Sequence, residues 1–250
     1  MALAQIHFRS NSIHKETALN VLLPESGDGP FPVLYLLHGL SDDHSAWMRY
    51  SSIERQVCDL PLIVVMPDGY RSYYVNDPRP EGLAFEDHII KDVVGFVDRT
   101  FPTIPGRDGR AIAGLSMGGY GAMVQAMRHP EMFCAASSHS GALSFVTCNY
   151  DRPGLRELPR ALKREDYDPA TLAESLVDRP DRPALRFDCG VDDHLLDHSR
   201  DLHATLKSLG IEHEYAEYPG AHTWAYWDEH VRETISFVTK RFGVSGTPRG

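Results

Sequence analysis

One pentapeptide, Gly114-Leu115-Ser116-Met117-Gly118, constrains the fold of this chain more than any other stretch. The residues before it, 110–113, have the pattern of a short buried strand, and residues 120–128 after it have the pattern of a helix. A serine at a tight strand-to-helix turn presents its hydroxyl outward, and glycines flank it because side chains there would collide with strand and helix. The stretch predicts a nucleophile elbow, although a plain glycine-rich connection has the same composition.

Strands and helices alternate along the chain on both sides of this turn. Apolar runs at 33–37 and 62–66 predict strands buried on both faces, and 133–137 and 184–188 are two further candidate strands. Helical spacing of apolar residues lies between them, most clearly over 89–97. This alternation predicts an α/β fold, a mostly parallel, doubly wound sheet with helices on both faces.

Two regions depart from this alternation. Residues 5–9 and 17–23 alternate between apolar and polar around a polar break, which predicts an antiparallel hairpin at the N-terminal edge of the sheet. Residues 144–182 are dense in Arg, Asp, Glu and Pro. We interpret them as a small insertion over the site within a single domain, residues 1–250, because they are too few and too polar to hold a core of their own. A surface excursion is the alternative.

Charge and composition limit the classes of partner that this chain can have. The formal net charge is −10 and no cluster of Lys and Arg is present, which argues against a nucleic-acid partner. The N-terminus lacks a secretory pattern and no apolar stretch reaches transmembrane length, so we expect a cytoplasmic enzyme with no membrane partner. The four cysteines, without C-x-x-C spacing, suggest neither a zinc site nor a disulfide framework. A homo-oligomer is compatible with the sequence.

A serine nucleophile needs a general base and a carboxylate that orients it. In the α/β-hydrolase arrangement these residues occur in the chain order serine, acid, histidine. His222, in a loop between the last predicted strand and the last predicted helix, is the best candidate for the base. The acid is expected just after 184–188, where Asp192 and Asp193 compete; the frame Gly-x-x-Asp favours Asp193. Asp192 would then cap the following helix.

An oxyanion hole needs two converging N–H donors. We expect one from Met117, the residue after the nucleophile, and the other from Leu40, in the loop after the first buried strand. Gly39 would let the backbone turn sharply there, although an ordinary turn glycine would look the same. For His38, a structural role and a contact with the site are equally compatible with the sequence.

Candidate substrate contacts are Gly39, Trp47, Tyr73 and Trp224. The three aromatic side chains could line an acyl or alcohol pocket, but aromatic residues beside a sheet are as often part of the core.

His194 and His198 stand four residues apart, the spacing of a helical metal-binding pair. The glutamate of an H-E-x-x-H motif is missing and no third ligand is evident in the sequence. We therefore expect no metal and no cofactor.

Several stretches resemble the putative-esterase family of α/β-hydrolases, which includes esterase D (S-formylglutathione hydrolase), bacterial tributyrin and feruloyl esterases, and the mycolyltransferases. The stretches are Leu36-Leu37-His38-Gly39-Leu40-Ser41, Leu62-Ile63-Val64-Val65-Met66-Pro67, Ala113-Gly114-Leu115-Ser116-Met117-Gly118-Gly119-Tyr120-Gly121, Ser140-Gly141-Ala142-Leu143 and His222-Thr223-Trp224-Ala225-Tyr226-Trp227-Asp228. The resemblance covers nearly the whole chain and is closest to the tributyrin-esterase branch. It implies the α/β-hydrolase fold, with the segment 144–182 as a partial cover on the site.

The same resemblance implies that Ser116 is the nucleophile, Asp193 the orienting acid and His222 the base, with Leu40 and Met117 as oxyanion donors. We therefore expect a serine carboxylesterase that hydrolyses short-chain acyl esters of small molecules through an acyl-serine intermediate.

Three other functions are considered. The first is acyl transfer to an alcohol, as in mycolyltransferases, and the second is S-formylglutathione hydrolysis. The second is weakened because Leu115 and Tyr120 stand where that branch usually has histidine. The third, a binding protein that kept the fold and lost turnover, is opposed by the complete set of serine, aspartate and histidine.

Overall fold

The computed structural model describes residues 1–25, 27–147, 157–246 and 248. Its strands are β1 (Ala2–Ser10), β2 (Lys15–Leu23), β3 (Val33–Leu37), β4 (Ile63–Pro67), β5 (Arg110–Leu115), β6 (Ala135–His139), β7 (Ala184–Gly190) and β8 (His213–Tyr218). Its α-helices are α1 (Ala46–Tyr50), α2 (Ile53–Val57), α3 (Phe85–Asp87), α4 (Val94–Thr100), α5 (Met117–Arg128), α6 (Glu157–Ala161), α7 (Arg164–Tyr167), α8 (Pro169–Glu174), α9 (Leu196–Ser208) and α10 (Trp224–Phe242). A π-helix, His88–Val93, joins α3 to α4, and a 3-10 turn, Arg107–Gly109, precedes β5.

The strands form one eight-stranded sheet in the order β1-β2-β4-β3-β5-β6-β7-β8. β1 and β2 are an antiparallel hairpin, with Ala2 opposite Leu23 and Ser10 opposite Lys15. β2 is also antiparallel to β4, and every later pairing is parallel. The predicted parallel sheet with an antiparallel N-terminal edge is confirmed.

Helices cover both faces of the sheet. Every residue of β3 is buried, and because side chains alternate between the faces of a strand, its apolar run supplies two cores. Tyr35 and Leu37 pack in a cluster with apolar residues of α4, α5 and α9, whereas Leu34 and Leu36 pack with α1, α2 and α10. Among the described residues, none of the helices combines the length and apolar character that a membrane crossing needs.

β6 begins two residues later than the start of the predicted strand 133–137. Phe133 precedes the strand and packs edge-on against Tyr35 in the core, and this burial explains why an apolar residue stands there. The shift matters for the site because it puts His139 at the carboxyl end of β6, opposite Leu115 of β5.

The predicted insertion, 144–182, contains α6, α7 and α8, and its residues 148–156, including Cys148, lie outside the described residues. Its described part is fastened to the helix that follows the elbow. The Tyr120 hydroxyl donates to the Tyr167 carbonyl at 2.6 Å, and the Tyr167 hydroxyl donates to the buried Glu86 at 2.7 Å. That the segment covers Ser116 stays a prediction.

Candidate active site

Ser116 lies between β5 and α5 in a backbone conformation that residues other than glycine rarely adopt, with φ 53° and ψ −114°. The glycines around it are required by close packing. A Cβ on Gly114 would lie 2.5 Å from the carbonyl carbon of Gly118, and a Cβ on Gly118 would lie 2.6 Å from the carbonyl oxygens of Leu37 and His38. The sharp turn of a nucleophile elbow is therefore present, and it brings the start of α5 against the end of β3.

The backbone of the turn is fixed by the segment that leaves β6. The Ser116 N–H donates to the His139 carbonyl at 2.8 Å, and the Ala142 N–H donates to the Ser116 carbonyl at 3.1 Å. These two bonds hold the strained residue in place from the carboxyl end of the neighbouring strand.

Three side chains from separate loops meet at this turn. His222, between β8 and α10, has its Nε2 2.9 Å from the Ser116 Oγ. Its Nδ1 lies 2.8 Å and 3.1 Å from the two carboxylate oxygens of Asp193, which follows β7. The structure thus brings the predicted serine, histidine and aspartate into one hydrogen-bonded line.

Asp193 is held as a carboxylate. Burial alone would raise its pKa, but hydrogen bonds from His222 and from the Leu195 N–H outweigh burial and lower the pKa of Asp193 below its usual value. The Leu195 N–H donates to Oδ1 at 2.9 Å, so Asp193 also ties down the start of α9. Asp192 is exposed, and its backbone N–H donates to the Gly220 carbonyl.

The two predicted oxyanion donors lie on backbone segments that touch each other. Met117 begins α5, and the buried Leu40 follows Gly39, whose added Cβ would be 3.9 Å from the Cβ of Ser116. N–H groups at the start of a helix have no acceptor within the helix and favour negative charge. The arrangement can stabilise an anion next to the serine.

His38 fixes the peptide that carries the Leu40 N–H. The Gly69 N–H donates to Nε2 of His38 at 2.8 Å, so the proton lies on Nδ1, which is 2.7 Å from the Gly39 carbonyl oxygen. Because the Gly39 carbonyl and the Leu40 N–H share one planar peptide, holding the carbonyl also sets the direction of the N–H. Of the two roles considered for His38, the contacts favour the structural one.

Ser116 opens into a cleft of about 260 Å³. Its walls are formed by Gly39, Leu40, Ser41, Asp42, Leu115, His194, Leu195, His222, Thr223, Trp224 and Trp227. Asp42 was missed by the sequence reasoning because its loop had no recognisable motif. Its half-buried carboxyl has a raised pKa, mainly because of burial.

The prediction of substrate contacts needs correction at two positions. Gly39 and Trp224 line the cleft, but Trp47 and Tyr73 do not. Trp47 is buried, its Nε1 donates to the Leu37 carbonyl at 3.0 Å, and it packs edge-on behind Trp224. Tyr73 is also buried and stacks face to face on Phe145. Both side chains belong to the core that supports the site.

The two histidines at metal-pair spacing have different neighbours. His194 precedes α9, and its ring lies 4.7 Å from that of His222. His198 is inside α9, where its Nδ1 accepts a hydrogen bond from the Ser144 N–H at 3.4 Å. The spacing of His194 and His198 does not indicate that a third candidate ligand, His222, lies next to His194.

A second histidine and aspartate lie beneath the elbow, fully buried. Nδ1 of His139 is 2.8 Å from Oδ2 of Asp188, and its Nε2 is 2.8 Å from Oγ1 of Thr234. Asp188 accepts a hydrogen bond of 2.5 Å from Arg186 and one of 2.7 Å from the Tyr226 hydroxyl. The sequence reasoning missed this network.

The family described as putative esterase matches residues 10–236. An acetyl esterase of Caldicellulosiruptor saccharolyticus is 27% identical over 96% of this chain and 99% of its own length. Two solved structures from Staphylococcus aureus are similar to this chain, and each match covers 95% of this chain and 98% of the other protein's chain. FphF, a fluorophosphonate-binding serine hydrolase, is 29% identical with a TM-score of 0.85. The S-formylglutathione hydrolase FrmB is 30% identical with a TM-score of 0.84.

Proposed function

The chain belongs to the putative esterase family and is a serine hydrolase that acts on esters, and we propose that it hydrolyses short-chain acyl esters through an acyl-serine intermediate. Ser116 is the nucleophile, His222 the general base and Asp193 the residue that orients the imidazole. The observation that carries the proposal is the 2.9 Å contact between Ser116 Oγ and His222 Nε2 at the floor of an open cleft.

The reaction follows from these positions. His222 Nε2 accepts the hydroxyl proton while the Ser116 Oγ bonds to the acyl carbon, and the carbonyl electron pair moves onto oxygen, next to the N–H groups of Met117 and Leu40. Collapse of this intermediate breaks the ester C–O bond, and the alcohol leaves with the proton from His222. Water repeats the sequence on the acyl-serine and releases the carboxylic acid. The two half-reactions balance with water as the second substrate, so the proposal includes no cofactor.

The size of the cleft supports a short acyl group. Its volume of about 260 Å³ is below the range usual for drug-sized ligands, and the indole rings of Trp224 and Trp227 form part of the wall. The similarity to an acetyl esterase also supports a short acyl group. We expect acetyl and butyryl esters to be better substrates than octanoyl esters.

The test is steady-state hydrolysis of p-nitrophenyl acetate, butyrate and octanoate by the wild type and by Ser116→Ala. We expect the variant to lose at least about 10⁴-fold in kcat, because the remaining groups cannot replace the nucleophile. Ser236→Ala, which changes an exposed serine of α10, is the matched control and should keep the wild-type rate. A fluorophosphonate probe should label Ser116. A wild type no faster than Ser116→Ala would refute the proposal.

A second candidate substrate is the thioester S-formylglutathione, which rests on the 30% identity to the Staphylococcus aureus enzyme over 95% of this chain. The same three residues would serve, because acyl transfer from sulfur uses the same acyl-serine. Leu115 and Tyr120, where that branch usually has histidine, are both buried. A kcat/KM for S-formylglutathione more than about 100-fold above that for p-nitrophenyl acetate, about 2.7 kcal/mol of extra transition-state binding, would favour the thioester.

A further inference from the structure

The proposed reaction uses Asp193 and His222 but gives no role to His194, which lies beside both. Nδ1 of His194 is 3.4 Å from Oδ1 of Asp193, and the two imidazole rings are 4.7 Å apart. One ligand atom from each of the three side chains lies within 4.8 Å of the other two. We propose that Asp193, His194 and His222 form an inhibitory site for a divalent transition-metal cation, with Zn²⁺ as the probe. The inhibitory consequence rests on the proposed function, whereas binding of the ion does not.

The donor set suits Zn²⁺. Zinc takes imidazole nitrogen at about 2.0–2.1 Å and carboxylate oxygen at about 2.0–2.2 Å, and three protein ligands leave a fourth position for water. Donors around a tetrahedral zinc are then roughly 3.3–3.5 Å apart. Oδ1 of Asp193 is 3.4 Å from Nδ1 of His194, which matches this spacing, and 3.1 Å from Nδ1 of His222, a distance that needs to widen by about 0.3 Å.

The site is accessible and carries the appropriate charge. The side chain of His194 is 57% exposed, whereas the carboxylate of Asp193 is fully buried and fixed by the Leu195 N–H. The net charge of −10 for the whole chain adds a long-range attraction for cations.

Zinc at this position would stop the reaction through the tautomer of His222. The general base needs its proton on Nδ1, facing Asp193, and a free lone pair on Nε2, facing Ser116. A metal on Nδ1 binds through the lone pair of Nδ1, so Nδ1 gives up its proton and the one proton of the neutral imidazole lies on Nε2. His222 then cannot accept the proton of Ser116, and the Asp193 carboxylate is also engaged by the metal.

His198 supplies the matched control. It is four residues from His194 and is the partner that helical spacing would assign to it, but its Nδ1 accepts a hydrogen bond from the Ser144 N–H. If the ion bound a helical i, i+4 pair, loss of either histidine would weaken it equally. In the arrangement proposed here, only the loss of His194 does so.

The experiment titrates Zn²⁺ against the wild type, His194→Gln, His194→Asn and His198→Gln in a non-chelating buffer. Initial rates with p-nitrophenyl acetate are divided by the metal-free rate of the same variant, and Zn²⁺ binding is measured in parallel by isothermal titration calorimetry. We expect inhibition of the wild type that a chelator reverses. Both His194 variants should need at least about tenfold more Zn²⁺ for half-inhibition, the least expected from loss of one ligand, whereas His198→Gln stays within twofold of the wild type.

Each outcome decides between the alternatives. Equal zinc sensitivity in the wild type and the His194 variants, or a wild type that does not bind Zn²⁺, would overturn the metal site. A shift in His198→Gln as large as that in His194→Gln would replace it with the helical pair. If the wild type binds Zn²⁺ in a manner that depends on His194 but hydrolyses no ester, the metal site survives and the proposed function fails.

Discussion

In the part of the chain that the structure describes, two histidine–aspartate pairs are linked to Ser116, and each has a 2.8 Å contact from imidazole Nδ1 to carboxylate. His222 lines the cleft, where its side chain is 23% exposed, and the carboxylate of Asp193 next to it is buried. His139 and Asp188 lie under the elbow with both side chains fully buried. Both pairs are linked to the serine, the first through Oγ and the second through the hydrogen bond from the Ser116 N–H to the His139 carbonyl.

The difference between the pairs lies in what the second imidazole nitrogen faces. Nε2 of His222 faces a hydroxyl in an open cleft, where an acyl group can reach it. Nε2 of His139 faces the buried hydroxyl of Thr234, which is itself 2.5 Å from the Ser137 hydroxyl. The same two functional groups therefore suit general-base catalysis in one place and structural support in the other.

The electrostatic settings differ as well. Burial alone would raise the pKa of Asp188, but the charges of His139 and Arg186 and the hydrogen bond from Tyr226 hold it well below its usual value. Asp193 has no arginine partner among the described ion pairs, and its pKa is lowered mainly by hydrogen bonds from His222 and the Leu195 N–H. Both carboxylates are buried, but Asp188 is fixed by a network that includes Arg186, whereas Asp193 depends mainly on the histidine that it orients.

Of the substitutions in the two pairs, Asp193→Asn should have the largest effect. It should lower kcat and leave the stability of the fold nearly unchanged. We expect kcat with p-nitrophenyl acetate to fall about 10⁴-fold, because the amide favours the wrong tautomer of His222. The free energy of unfolding should change by less than about 1 kcal/mol, since the amide oxygen can still accept the Leu195 N–H. Asp192→Asn, in the exposed neighbour, is the control and should keep the wild-type rate. The reverse pattern would assign the acid to Asp192.

Asp188→Asn should lower the stability of the fold and leave kcat nearly unchanged. Removing the charge leaves Arg186 buried without its counter-ion, and breaking a buried pair in this way costs about 3–5 kcal/mol of unfolding free energy. The folded fraction should keep kcat within about tenfold of the wild type, because no reacting atom is touched. Urea unfolding and active-site-titrated rates measure the two effects. A loss of kcat as large as that of Asp193→Asn, with unchanged stability, would place both pairs in the reaction.

The sequence predicts the pair in the cleft because its members follow a known chain order. Ser116, Asp193 and His222 each follow a predicted strand in the order of the α/β-hydrolase arrangement, and the parallel sheet brings the carboxyl ends of those strands together. The sheet itself follows from runs such as 33–37, whose apolar character is explained by burial on both faces.

The buried pair has no comparable signature in the sequence. His139 stands two residues beyond the predicted strand 133–137, and Asp188 is the last residue of the predicted strand 184–188. Their contacts join β6, β7 and α10, with Thr234 95 residues away from His139. The same holds for Trp47 and Tyr73, whose burial depends on Trp224 and Phe145 from distant segments. Such contacts follow from three-dimensional packing rather than from spacing along the chain.

The smallest predicted effect is on the pH dependence of stability. The folded pKa of Asp188 is below its unfolded value of about 3.9, so its stabilising contribution is complete above about pH 4 and is lost as the pH falls toward the folded pKa. We expect the unfolding free energy of Asp188→Asn to fall less steeply than that of the wild type between about pH 4 and pH 3, by up to about 1.4 kcal/mol per pH unit. Urea titrations across this range measure the two slopes.

Two other carboxyl groups with lowered pKa values, Asp193 and Glu86, are common to both proteins. The pKa of Glu86 is lowered to about 2 because hydrogen bonds from His129, Arg128 and Tyr167 outweigh burial. Their contributions cancel in the difference. Parallel slopes would mean that the Asp188 carboxylate is no better stabilised in the folded protein than in the unfolded chain, and the contrast between the two pairs would then rest on burial alone.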